Sequence, residues 1–175
     1  MASRGRPRGE RAGAKHDRAI AGIGVDLCDI ARIERALGAP HGARFRARVF
    51  TEGEQAYCEG RRRGRFESYA ARFAAKEAAM KVLGTGWSRG IGWHDVEVVR
   101  ERGSPPSLRL HGQAAVLAQR LGMAHWLLTI THGRTTAIAW VLAERGRVSG
   151  LRQPPASRPD GAAAGSARSR PRARR

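Results

Sequence analysis

The stretch Phe66–Gly84, FESYAARFAAKEAAMKVLG, decides how the rest of this 175-residue chain is read. Phe66, Tyr69, Ala70, Phe73, Met80 and Leu83 recur near the 3.6-residue period, which predicts one long helix over residues 66–83 with an apolar stripe turned to a core. Gly84 is its stop. Phe73, Glu77 and Lys81 stand four apart and share a face, so a carboxylate and an ammonium lie side by side among alanines that leave room for a ligand. The same spacing also describes a solvated ion pair worth about 0.3–0.5 kcal/mol. Gly84-Thr85-Gly86 comes next, then Ser88, Arg89, Gly90 and Gly92. Backbone amides of such a loop, with Arg and Lys nearby, can hold phosphates, although the spacing is not that of a Walker A loop.

On the N-terminal side, Ile20 to Leu27 is short, β-branched and glycine-containing and reads as a strand with Asp26 near its end. A carboxylate at that position suits a hard cation; equally, Asp26 and Asp29 could cap the next helix, which runs to about Leu37 before Gly38 and Pro40. The Gly22-Ile23-Gly24 pair lacks the third glycine of a dinucleotide fingerprint. Arg32 and Arg35, then Arg44, Phe45, Arg46 and Arg48, mix positive charge with an apolar ring, as a docking face for an acidic partner or as a solvated surface. Thr51 and Glu54 form a capping-box pattern for a helix to about Glu59.

On the C-terminal side, strands are expected at Asp95–Arg100 and Ser107–Leu110, and a helix at Gln113–Leu121. Trp126–Thr131 and Thr135–Leu142 come next as an antiparallel hairpin around Gly133-Arg134, with His132 closing its first strand. The sum is an α+β fold in which a mainly antiparallel sheet packs on the long helix.

The formal charge of +18 would ordinarily point to a polyanionic partner. More than half of it, however, sits in two flanks: +4 in residues 1–19 and +7 in 146–175, leaving +7 for 20–145. Both flanks have almost no bulky apolar residues to offset ordering entropy and are expected to be disordered, with one folded domain over 20–145. A nucleic-acid-binding module using the Arg-rich tails is the alternative reading, but the central part has no zinc-finger spacing or RNA-binding motif. The longest apolar run, Ala137–Ala143, is far short of the roughly 20 residues of a membrane span, and no signal-peptide pattern succeeds the N-terminal arginines, so a cytoplasmic protein is expected. Cys28 and Cys58 have no metal-site spacing and are expected as free thiols.

Taken in order, these residues resemble a known family, the small trimeric holo-(acyl-carrier-protein) synthases among the 4'-phosphopantetheinyl transferases. The resemblance is carried by Gly22-Ile23-Gly24-Val25-Asp26, by Arg72-Phe73-Ala74-Ala75-Lys76-Glu77-Ala78 with Lys81, by Gly84-Thr85-Gly86 leading to Gly90-Ile91 and Trp93 to Val98, and by Thr129-Ile130-Thr131-His132. It covers most of residues 22–143. Thr129 and Gly133 depart from it, standing where relatives often carry Ser and a hydroxyl residue.

The resemblance implies transfer of phosphopantetheine from coenzyme A to a serine of apo acyl carrier protein, releasing adenosine 3',5'-bisphosphate. It implies Mg²⁺ on Asp26 and Glu77, with Lys81 near the coenzyme A pyrophosphate and all three catalytic. Either Glu77 or a water would take the serine proton. Coenzyme A is expected along Lys81, Gly84, Gly86, Thr131 and His132, the last two serving a neighbouring subunit of a homotrimer. Acidic carrier protein is expected on Arg32, Arg44, Phe45 and Arg48. Neither a membrane nor nucleic acid is an expected partner.

Overall fold

The computed structural model describes residues 19–86 and 90–146. The basic flanks, apart from Ala19 and Gly146, lie outside these residues, as do Trp87, Ser88 and Arg89. The chain runs β1 (Ile20–Asp29), α1 (Ile30–Gly38), α2 (Gly42–Val49), α3 (Glu52–Glu59), α4 (Arg65–Val82), a 3-10 turn (Trp93–Asp95), β2 (Val96–Val99), β3 (Ser107–Leu110), α5 (Gly112–Arg120), β4 (Met123–His132) and β5 (Thr136–Arg145). The strands form two antiparallel sheets, one in the order β1-β5-β4 and one pairing β2 with β3.

Local chemistry sets the helix ends as the sequence leads one to expect. The Asp29 carboxylate accepts from Arg32 N at 2.9 Å and starts α1, while Thr51 and Glu54 close a reciprocal capping box on α3. Helix α2 is the element that the sequence pattern does not announce; His41 gives it no side-chain cap.

The long helix lies across one face of the three-stranded sheet. That contact is made of small residues: Ala70, Ala74, Ala75, Ala78 and Ala79 of α4 meet Ala137, Ala139, Val141 and Ala143 of β5, all fully buried. Strand β1 presses closest. A Cβ on Gly24 would stand 2.2 Å from the Ala78 carbonyl oxygen, and one on Gly22 would stand 3.0 Å from Val82 Cγ1. Only glycine permits this approach. Because Gly22 faces Val82 and Gly24 faces Ala78, β1 and α4 run in opposite directions.

The period-2 alternation of the strands sends the other side chains outward. Register places Ile23, Leu142 and Leu127 in one row, Val25, Trp140 and Thr129 in the next, and Leu27, Ile138 and Thr131 in the third. The face is apolar and open: Ile23 is 61% exposed, Leu27 68% and Trp140 52%.

A buried polar network joins α4 to the smaller sheet. Lys76, with no exposed surface, places Nζ 2.8 Å from Glu54 Oε2 and donates to the carbonyls of Trp93 and Val96. Burial pushes the Lys76 ammonium below the ordinary lysine range, against the pull of Glu54. Glu54 also accepts from the amides of Thr51 and Val98, so its remaining lone pairs are engaged as a buried charge requires. Thr51 Oγ1 donates to Glu97, whose other oxygen meets His111 Nε2 at 2.9 Å.

Candidate active site where β1 meets α4

Gly22, Gly24 and Asp26 share the face of β1 turned toward α4, so the approach permitted by the two glycines carries the Asp26 carboxylate to the helix. Lys81 meets it there: Nζ is 2.8 Å from Asp26 Oδ1 and donates to the Val25 carbonyl at 2.9 Å. Of the two possibilities open from sequence, Asp29 does the capping and Asp26 does not; Lys81 turns toward the strand rather than only along its own helix. Asp26 is partly shielded, and the Lys81 side chain is about half exposed, leaving the ammonium open to a ligand.

Glu77 stands one turn before Lys81 on α4. The thiol of Cys28, on the same face of β1, is raised to about 11, first by burial and then by the charges of Asp26, Asp29 and Glu77, with Arg32 opposing them. Among the described residues there is no group of three or more His, Cys, Asp or Glu that could hold a metal by itself. A site with two carboxylates and no third such ligand fits Mg²⁺, which takes one or two carboxylates and completes its shell with phosphate oxygens and waters.

Glu77 also lines a groove of about 450 Å³ together with Arg32, Phe45, Arg48, Phe73 and Trp93. The Arg32 guanidinium lies 5.6 Å over the Phe73 ring, and Phe73 packs on Trp93 with centroids 4.9 Å apart. Arg44 lines an adjoining recess with His41, Phe45 and Arg48. Arg32, Arg44 and Arg48 therefore rim the two adjoining recesses beside Glu77, whereas Arg46 pairs with Glu59 at 3.0 Å and Arg35 lines neither recess. Trp93 is a groove residue that sequence reasoning missed as such. It lies outside every periodic segment, and its one signal is its place in an ordered motif.

The remaining sequence candidates are not all gathered within one chain. Gly84 and Gly86 leave α4 with positive φ, 69° and 51°, at the Gly22 end of β1. Thr131 and His132 align through β5 with Leu27 and Cys28, at the other end. Six strand residues, about 20 Å at the usual rise, separate the two ends. Asp26 and Lys81 come together, with Glu77 one turn before Lys81 on α4; Thr131 and His132 of the same chain do not join the Gly84–Gly86 loop. The reading of Ser88 and Arg89 as phosphate contacts lies outside the described residues. No helix among the described residues is long and apolar enough to cross a membrane.

A family model matches most of the described residues. Residues 22–141 fit that of the 4'-phosphopantetheinyl transferase superfamily, and the chain belongs to that family. Within it, the similarity falls on the holo-[acyl-carrier-protein] synthases. The chain is 48% identical over 125 residues to that enzyme of Solibacter usitatus, covering 71% of this chain and 98% of the relative. It is 52% identical over 129 residues to that of Methylobacterium radiotolerans, covering 71% and 93%. The solved complex of the Chronobacterium ammoniagenes ACPS with CoA superposes with a TM-score of 0.63 at 28% identity, over 74% of this chain and 99% of that one. The chain is thus an enzyme of the phosphopantetheinyl transferase family.

Proposed function

We propose that Asp26, Glu77 and Lys81 transfer the 4'-phosphopantetheine group of coenzyme A to a serine hydroxyl of apo acyl carrier protein. The observation that carries this is the Asp26–Lys81 contact one turn along α4 from Glu77, which lines a groove rimmed by arginines. The serine oxygen forms a bond to the pantetheine-side phosphorus, the bond from that phosphorus to the bridging oxygen breaks, and adenosine 3',5'-bisphosphate leaves with the bonding pair. Lys81 would neutralise charge developing on the 5'-phosphate of the leaving adenosine bisphosphate. Its ammonium is aimed by two fixed acceptors, so little reorganisation accompanies the reaction. Glu77 opens on the groove and is placed to take the serine proton. Asp26 and Glu77 would hold Mg²⁺, which supplies Lewis-acid polarisation of the phosphoryl oxygens.

Arg32, Arg44 and Arg48 form the docking rim for an acidic carrier protein, with Phe45 as its apolar contact. The open face of the sheet supports assembly of copies of the chain as a homotrimer, because Ile23, Val25, Leu27, Leu127 and Trp140, all exposed on it, are costly to leave in water. Such an assembly lets Thr131 and His132 of one copy serve coenzyme A bound at the Asp26 and Gly84 region of another. The nucleic-acid reading rested on the tails and gains nothing from the groove or the relatives.

Intact mass of apo carrier protein after incubation with the enzyme, coenzyme A and Mg²⁺ tests the assignment. Conversion to the phosphopantetheinyl form should appear with the natural chain and be lost with Asp26→Ala, Glu77→Ala or chelator. Full conversion by both variants would overturn the site. Mixing Glu77→Gln with His132→Ala subunits should restore part of the activity if sites are shared between copies; no recovery after subunit exchange would place every essential group in one chain.

A further inference from the structure

Arg46 belongs to the same basic run as Arg44 and Arg48 but not to their face of α2. Residues 44 and 48 stand one above the other, and residue 46 falls on the opposite side of the helix. There it reaches α3: Arg46 Nη1 donates to Glu59 Oε1 at 3.0 Å. Glu59 is the last residue of α3 and is held from α4 as well. Arg65 Nη2 donates to Oε1 at 2.9 Å with its Nε 2.8 Å from Oε2, and the buried Tyr69 hydroxyl donates to Oε1 at 2.8 Å. Burial alone would raise the Glu59 carboxyl, but the hydrogen bonds from Tyr69, Arg65 and Arg46 hold it below the ordinary value of 4.5, so it stays charged near neutrality. A lone exposed pair is worth little; a carboxylate already fixed by an arginine fork and a phenol is a preformed acceptor.

Helix α2 needs such a hold. It has eight residues and no side-chain cap, and it enters from a tight turn in which Gly42 N donates to the Ala39 carbonyl at 2.7 Å. A Cβ on Gly42 would collide with the Leu37 carbonyl oxygen, so the turn packs against the end of α1. The Phe45 ring meets Phe50 edge-on with centroids 6.3 Å apart, and Phe50 packs on Tyr69 at 4.7 Å. The ring of Phe45 and the guanidinium of Arg46 are thus tied to the same tyrosine, one through Phe50 and the other through Glu59. Phe45 lines the recess of about 300 Å³ with Arg44 and Arg48, so whatever fixes α2 also fixes this part of the rim. We propose that Glu59 is a positioning residue for the partner: through Arg46 it sets the orientation in which Arg44, Phe45 and Arg48 meet an acidic carrier protein. This role rests on the reading that the rim docks that protein.

Steady-state kinetics with coenzyme A and apo carrier protein tests it. Glu59→Gln should raise KM for carrier protein about fivefold, with kcat and KM for coenzyme A unchanged, because ordering α2 then falls on the binding step. Charge alone predicts the opposite, since removing a negative group beside a basic rim favours an acidic partner and lowers that KM. Arg46→Met, which leaves Glu59, Arg65 and Tyr69 in place, should raise the same KM, and the double variant should add nothing further. Amide hydrogen exchange in α2 should speed in each variant while the centre of α4 exchanges as before. An unchanged or lowered KM in Glu59→Gln, or α2 exchange equal to that of the natural chain, would overturn the role of Glu59 and leave the transferase reading standing. Absence of carrier-protein conversion by the natural chain would overturn that reading, and this role with it.

Discussion

Lys81 shows how much one residue depends on its surroundings. On an isolated helix its natural partner is Glu77, and the sequence spacing alone does not choose between a surface pair and a site. The structure adds Val25 and Asp26 as acceptors at 2.8–2.9 Å, and these come from a strand more than fifty residues earlier in the chain. Lys81→Ala is expected to lower kcat by roughly a hundredfold, as for loss of one fixed electrostatic donor, with the melting temperature nearly unchanged because the side chain is half exposed. Steady-state kinetics on carrier protein, beside a thermal melt, reads both. Asp26, Glu77 and Lys81 were each legible in the sequence as candidates. The buried role of Lys76 was not. A lysine is seldom buried without a counter-charge, and Glu54 stood out only as a capping residue, with nothing local to announce that it also serves an ammonium on another helix.

At the scale of elements, the β1–α4 contact is set by Gly22 and Gly24. Gly24→Ala should force the strand away from Ala78 and destabilise the fold by about 1–3 kcal/mol, the usual range for overpacking a tight interior, and it should lower activity further by displacing Asp26. Urea unfolding and the carrier-protein assay separate the two effects; a variant as stable as the natural chain would mean that the contact gives way easily. The network around β2 supplies a pH dependence. Burial alone would raise the Glu97 carboxyl, but hydrogen bonds from His111 and Thr51 and the charges of His111 and Arg109 hold it below the ordinary value of 4.5. Its contribution to stability is therefore present above that value and is lost as pH falls through the lower folded value. Glu97→Gln should cost about 1 kcal/mol near neutrality and show a shallower loss of stability below pH 4.5. Most element boundaries were readable from caps and periodicity to within one to three residues. The exception, α2, is eight residues long, four of its residues being arginine or glycine, and it has no side-chain cap; it is held instead by Phe45 and Val49 against the core. Short helices of that kind owe their existence to packing, which local pattern does not report.

At the scale of the molecule, the α+β class and the antiparallel pairing were legible in the order of strand and helix signals. The open face of the sheet did not stand out as such, because alternating apolar residues look alike whether the second face meets solvent or another chain. If copies pack through that face as proposed, Trp140→Lys at its centre should favour the monomer and reduce activity while leaving the far-ultraviolet circular dichroism unchanged. Light scattering of the eluted protein measures the mass; an unaltered assembly would show that copies associate elsewhere.

The alanine and glycine floor beneath α4 carries one more implication. The joint is gauged mostly by alanine methyls and bare glycine backbone, with few side-chain torsions that warming could reset. The setting of Asp26 against α4 should therefore drift little with temperature, and heat should first impair the surrounding loops, leaving this contact among the last parts to lose its geometry.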